Sequence, residues 1–171
     1  DNTADAAKKA IDETSGLTAD QKQTAKNQID QAVTDAQENI KKASDNQGVA
    51  DAKDAGKLAI DKVSAKAAID DDLAKKIEEI KANTNLTAEE KAKLTTDANS
   101  AANDAKDKIQ SATTNDGATK AGQDGKTAIE GVTVPTDSDV KKNANSDLDK
   151  TAAAAKKAID ETSGLTADQK Q

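Results

Sequence analysis

The sixteen residues KKAIDETSGLTADQKQ stand at 8–23 and again, unchanged, at 156–171. Widened to 3–23 and 151–171, the match holds at 20 of 21 positions, with Asp5 replaced by Ala153. A single compact domain has no reason to repeat its own edge, whereas a tandem array does. An array also predicts a diverged copy in between, and LTADQK at 17–22 returns as LTAEEK at 86–91, 69 residues on. Carried without a gap over residues 17–63, that offset gives 17 identities in 47 positions. Their placement is informative. Ala32, Ala36, Ile40 and Ala43 pair with Ala101, Ala105, Ile109 and Ala112, and Ala52, Gly56, Ala59, Ile60 and Val63 pair with Ala121, Gly125, Ala128, Ile129 and Val132. Both sets follow the spacing of one helical stripe. The copies agree on a face that packs and drift elsewhere.

The spacing predicts an all-α fold of tandem three-helix bundles set end to end in an elongated rod. The units are residues 1–63, a first repeat lacking the start of its first helix; 64–132, a whole second repeat; and 133–171, a linker and the start of a third. The next offset, Leu86 to Leu165, is 79, and the extra ten residues fall around TVPTDSDVKK (133–142), which holds the only Pro. The first helix of the second unit is expected over about 66–84, with Ile69, Leu73, Ile77 and Ile80 inward. In the third unit it is expected over about 137–162, with Val140, Ala144, Leu148, Ala152, Ala155 and Ile159 inward. Gly16, Asn85 and Gly164 are residue types that tolerate the left-handed conformation closing a helix.

The second helix of each unit opens at an LT pair. Thr18, Thr87 and Thr166 are N-cap residues, with Gln21, Glu90 and Gln169 three positions on, which is capping-box spacing. The Leu before each Thr sits where a hydrophobic staple begins, but its partner position holds Lys22 or Lys91, so that Leu is expected to pack on another helix. The second helices run to about Ala43 and Ala112. Polar turns at 44–47 (SDNQ) and 113–116 (TTND) lead into third helices ending near Val63 and Val132. Gly56 and Gly125 fall mid-helix on the inward stripe, where Gly costs about 1 kcal/mol relative to Ala; close approach of an Ala-rich neighbour is one explanation and drift the alternative, and recurrence in both copies favours packing. AIDKVSAKAAIDDDL (59–73) contains no breaker, so a continuous helix across the first junction is open alongside a hinge. Pro135 interrupts the second junction, with a restart at Thr136 or Ser138.

Composition closes off most chemistry. The chain has no His, Cys, Arg, Met, Trp, Tyr or Phe, and its 25 Lys face 32 acids for a net charge of −7. It therefore lacks a side chain that titrates near neutrality unperturbed, a thiolate, and a bidentate guanidinium fork. Without aromatics and with excess negative charge, nucleic acid is not an expected partner. Ten Ile, seven Leu and six Val among 171 residues fall below the level at which disorder becomes a serious rival, and nothing approaches a membrane span. Repetition, capping and periodicity together outweigh disorder. The absence of Cys fits either a reducing compartment or export, and the start in mid-pattern without Met points to targeting segments lying outside the sequence.

Four local patterns invite a site, and none is read as one. GKT at 125–127 lacks the Gly that a phosphate loop needs five residues earlier, where Lys120 stands. NDG (115–117) and QDGKTAIE (123–130) miss the ligand positions of a calcium loop. Asp70, Asp71 and Asp72 read as a solvated helix face. NLT at 85–87 fits a glycosylation sequon, but its Thr is already used as a cap. Lys–acid pairs four apart, such as Asp104–Lys108 and Glu89–Lys93, read as surface helix support. No catalytic, cofactor-binding or metal-ligating residue is expected, and no cofactor.

IEEIKANTNLTAEEKAKL (77–94), DAKDKIQSATTNDGATKAGQDGKTAI (104–129) and AAAAKKAIDETSGLTADQK (152–170) closely resemble the helical repeat called domain of unknown function 1542. The resemblance rests on an ordered set: an LT-x-E-E-K helix start, an A-T-T-N turn and a G-x-x-A-I ending. It spans essentially the whole chain, departing in the unequal 69 and 79 spacings and in the Gly-rich DGATKAGQDG stretch, expected to loosen the middle unit's third helix. It implies a stalk segment of a cell-wall-anchored surface protein of Gram-positive bacteria, linked to adhesion or biofilm. The expectation is thus a non-enzymatic, extracellular spacer that projects a distal binding region from the cell wall, with neighbouring repeats of the same chain as partners. Rival readings are a three-helix module that captures a host protein, a role in cell aggregation through stalk association, and a disordered spacer. Membrane insertion is not expected.

Overall fold

The structure, a computed structural model, describes residues 2–169. Among them the chain forms six α-helices: α1 (Asn2–Glu13), α2 (Ala19–Lys42), α3 (Asn46–Ala82), α4 (Ala88–Ser111), α5 (Asn115–Glu130) and α6 (Asp139–Asp160), followed by a 3-10 turn at Ala167–Gln169. No strand occurs among the described residues, and no helix there is long and apolar enough to cross a membrane.

The helix starts follow from capping chemistry. Thr18 Oγ1 accepts from Gln21 N at 3.2 Å while Gln21 Oε1 accepts from Thr18 N at 2.8 Å. Thr87 and Glu90 repeat the pair at 3.2 and 2.9 Å. Asp45 and Thr114 cap α3 and α5 by accepting from Gly48 N and Gly117 N. Each cap satisfies a backbone N–H that a first helical turn leaves without a partner. The Lys at the staple position has a different task. Lys22 Nζ donates to Asp12 O at 2.8 Å and Thr14 O at 2.5 Å, and Lys91 Nζ to Lys81 O at 3.0 Å. The ammonium thus closes the carbonyl end of the preceding helix, where the helix dipole favours a cation. Leu17 and Leu86 are buried, as expected of a Leu that packs on another helix.

The left-handed helix ends do not occur. No described residue has positive φ, and α1, α3 and α6 stop about three residues before Gly16, Asn85 and Gly164. Pro135 breaks the chain as expected, and Ser138 caps α6 by accepting from Lys141 N at 3.1 Å. α5 runs unbroken through its glycines.

Packing separates two cores. α1 and α2 pack on each other and on the first part of α3, and α3, α4 and α5 pack pairwise. One core gathers Ala4, Ala7, Ile11, Leu17, Ala25, Ile29, Ile60 and Ala67; the other gathers Ile69, Ala102, Ala105, Ile109, Ala121 and Ile129. Leu73 and Ile77 of the expected inward set are half-buried beside fully buried Ile69 and Ile80. Ala128 corrects the stripe: it is exposed, lying beyond the edge of the face that Ile129 buries.

The second correction concerns α6. Val140, Ala144, Leu148, Ala152, Ala155 and Ile159 are all exposed, because α6 packs against no other described helix. The repeated sixteen residues make the cause plain. Ile11 and Ile159 sit in the same sequence, yet Ile11 is 1% exposed and Ile159 43%. A stripe is buried only where partner helices stand over it.

Candidate functional site: the junctions between repeats

The first junction lies within α3, whose 37 residues run without a break from one core into the other. Ile60, Val63 and Ala67 belong to the first core, and Ala65, Ile69 and Leu73 to the second. At 100° per residue, Ala67 and Ala65 point to opposite sides of the helix. Over about two turns, α3 is therefore packed from both sides. That is why residues 61–67 include no exposed position although two are Lys and one Asp.

Polar contacts lock both repeats to this segment. From the second repeat, Gln110 O and Oε1 accept from Lys62 Nζ and Lys66 Nζ at 2.8 and 2.6 Å, and Asn115 Nδ2 donates to Asp61 Oδ2 at 2.6 Å. Lys106 is ion-paired with Asp70. From the first repeat, the turn after α1 docks on Asp71. Gly16 N donates to Asp71 Oδ1 at 2.5 Å, and Lys75 Nζ pairs with Oδ2 at 2.7 Å. Asp71 is 6% exposed. Burial alone pushes its carboxyl up, but the Lys75 ammonium and the Gly16 and Ser15 amides outweigh that and hold it below the ordinary value. Asp72 goes the other way: burial raises it, and Lys126 offsets only part.

Gly16 is required here by space. A Cβ on it would stand 2.8 Å from Asp71 O and 2.9 Å from Asp71 Oδ1, closer than real Cβ atoms come. The sequence reading of Gly16 as a left-handed helix end is overturned, since its φ is not positive.

The second junction uses the same turn, one repeat on, against a different partner. Asn83 Nδ2 donates to Pro135 O at 2.7 Å, Asn85 Nδ2 to Thr136 O at 3.0 Å, and Lys141 Nζ to Asn85 O at 2.6 Å. Glu90 links the cap of α4 to the start of α6. Its carboxylate accepts first from the Thr87 amide, then from the Ser138 hydroxyl and the Val140 amide, and together these hold its pKa down despite some desolvation. Gln21 and Gln169 at the matching positions carry no charge to do this. Ser138, 1% exposed, is both the cap of α6 and the donor to Glu90.

The GKT, NDG and QDGKTAIE stretches lie within α5. Gly125 of GKT is buried in α5, its backbone close against Ala105. Asp124 pairs with Lys120 at 2.8 Å. The solvated-face reading of the Asp triplet fails: Asp71 is buried and bonded, Asp70 is paired, and Asp72 is half-buried. Among the described residues no group of three His, Cys, Asp or Glu could hold a metal ion. Lys93 pairs with Asp97, at 2.7 Å, where the sequence suggested Glu89.

The role of Asp71 and the contacts of Glu90 with Ser138 and Val140 had no signal in the sequence, since each depends on a turn or cap supplied by a neighbouring repeat. Comparison with curated proteins gave no match, and comparison with solved structures gave none. The family model described as Domain of Unknown Function (DUF1542) matches twice, over residues 1–66 and 61–137. The two matches overlap within the stretch of α3 that serves both cores, and on this evidence the chain belongs to the DUF1542 family.

Proposed function

We propose that this chain is a structural spacer: a stalk segment, built of three-helix repeats set end to end, of a bacterial cell-surface adhesin, projecting a distal binding region from the cell wall. The observation that carries the reading is the shared helix. Two family-matched segments meet inside an unbroken α3 that is packed on opposite faces by the two cores. Such a joint resists bending, because a kink there would strip helix hydrogen bonds and open both cores at once. The turn that docks on Asp71 at one junction and on 135–141 at the next supports the same reading. A net charge of −7 favours extension and keeps neighbouring stalks apart. The reading assigns no catalysis, and it places the protein outside the cell on the wall of a Gram-positive bacterium.

Small-angle scattering on the purified chain tests it. A compact globule of this length has a radius of gyration of about 16 Å. α3 alone extends about 55 Å at 1.5 Å per residue. The spacer reading requires a radius of gyration well above the globular value, and a result within about 2 Å of that value removes it.

A further inference from the structure

We infer that the two repeats fold as one unit: each anchors a turn on the part of α3 that the other supports, a reciprocal clasp that keeps either core from opening alone. The inference goes beyond the spacer reading and does not rest on it, since a rod can be built of repeats that unfold together or one by one.

The clasp follows from where the two turns are anchored. The first core holds α3 through Ile60, Val63 and Ala67, and the second through Ala65, Ile69 and Leu73. The turn after α1 belongs to the first repeat, yet Gly16 N donates to Asp71 Oδ1, between Ile69 and Leu73. A Cβ on Gly16 would stand 3.1 Å from Ala74 Cβ, so the backbone of the turn lies directly on this part of the helix. The turn from α4 to α5 reaches the other way. Gln110 accepts from Lys62 and Lys66, and Asn115 donates to Asp61, all of them among the first core's positions on α3. The two turns therefore overlap along the helix, and each depends on a stretch that the opposite core keeps folded.

The energetic consequence is mutual. Helices in proteins are stabilised chiefly by packing of their apolar face. Opening the first core uncovers α3 as far as about Ala67, and the fraying helix takes Asp61, Lys62 and Lys66 away from the turn that starts α5. Opening the second core frays α3 from about Ile69 onward and takes Asp71 away from Gly16. Residues 61–67, covered from both sides, lose one side in either event. Half the residues of each core are Ala, and a small core leaves little net stability to withstand such a loss. Strong nearest-neighbour terms of this kind join repeats into cooperative blocks.

Amide hydrogen exchange on the full chain, under conditions where its rate reports the opening equilibrium, tests the inference. In the wild type the slowest amides around Ile29 in α2 and around Ala105 in α4 should share one protection factor within about threefold. Ile29→Ala, in the first core only, should speed exchange in α2 and α4 by the same factor, about thirtyfold or more. Ile129→Ala, in the second core only, should do the same from the other side. If either variant melts, Ile29→Val gives the comparison at about three- to tenfold. Asp61→Ala, Lys66→Ala and Asp71→Ala together remove three of the four α3 anchors and suit the helix, leaving both cores intact. That variant should bring the protection factors of α2 and α4 more than about tenfold apart. Core variants that speed exchange only in their own repeat overturn the inference, and so does an anchor variant whose two protection factors stay equal.

Discussion

Two glycines three residues apart in α5 should respond to the same substitution with opposite sign. Neither has positive φ, so Ala fits the backbone of both, and the helix-propensity gain of Gly→Ala is about 1 kcal/mol at each. At Gly122 a new Cβ would have only Ala65 Cβ nearby, at 3.5 Å, an ordinary contact. Gly122→Ala is therefore expected to stabilise by about 0.5–1 kcal/mol. At Gly125 the new Cβ would fall inside van der Waals contact of Ala105 Cβ and 2.8 Å from Ile69 Cδ1. Ile69 can turn its terminal methyl, but Ala105 Cβ is one bond from a helix backbone and moves only if α4 and α5 separate. Overpacking of this kind costs about 1–3 kcal/mol, and the tight backbone partner puts it at the upper end. The net for Gly125→Ala is a loss of about 1–2 kcal/mol after the propensity gain. The two variants should thus differ by about 1.5–3 kcal/mol, or roughly 3–12 °C in midpoint for a chain of this length. Thermal and urea melts followed by far-ultraviolet circular dichroism give the comparison. A Gly125→Ala protein as stable as Gly122→Ala, or more so, would refute the close-packing account of the recurring Gly.

Three further outcomes follow from the same contacts. Thr87→Ala removes a formed capping box and should cost about 1 kcal/mol in a urea melt, whereas Thr166→Ala, ahead of a 3-10 turn, should leave the midpoint unchanged. Ile11→Ala, at micromolar protein, should cost about 2–4 kcal/mol, and Ile159→Ala in identical sequence close to nothing, which hydrogen exchange at α1 amides would report. For Asp71 the folded pKa is lowered, so its stabilising contribution is present above the unfolded value, about 3.9, and is lost as pH falls through the folded one. Asp71→Asn should therefore cost about 1 kcal/mol at pH 7 and progressively less in urea melts at lower pH. Asp72, with a raised folded pKa, contributes oppositely: its contribution is present below the unfolded pKa and is lost as pH rises through the folded one. Asp72→Asn should gain less than about 1 kcal/mol at neutral pH.

Much of the molecule is legible residue by residue. Thr18 and Thr87 begin helices because a hydroxyl placed before an apolar-periodic run satisfies the free amides of its first turn. Pro135 ends one segment because it offers no N–H and its ring collides with a preceding helical turn. The recurrence of Gly56 and Gly125 on the inward stripe identified the closest helix contacts before any coordinate. Where the reading failed, it inferred a packing role from a pattern held by one helix alone. The stripe on α6 is as regular as that on α3, and it is exposed.

Local sequence determined where helices start and where Pro135 breaks the chain, since capping and Pro act within a few residues and need no distant partner. Whether a given apolar stripe forms core was decided only by the tertiary structure, as Ile11 and Ile159 demonstrate within the same sixteen residues. The junctions fall in the second class. An unbroken α3 needs no special signal, only the lack of a breaker, and it is packed by both cores. Asp71 is read as a solvent-facing acid until the Gly16 turn, 55 residues away in the chain, is folded over it. Burial and desolvation depend on what stands opposite a side chain, and that is a property of the assembled helices.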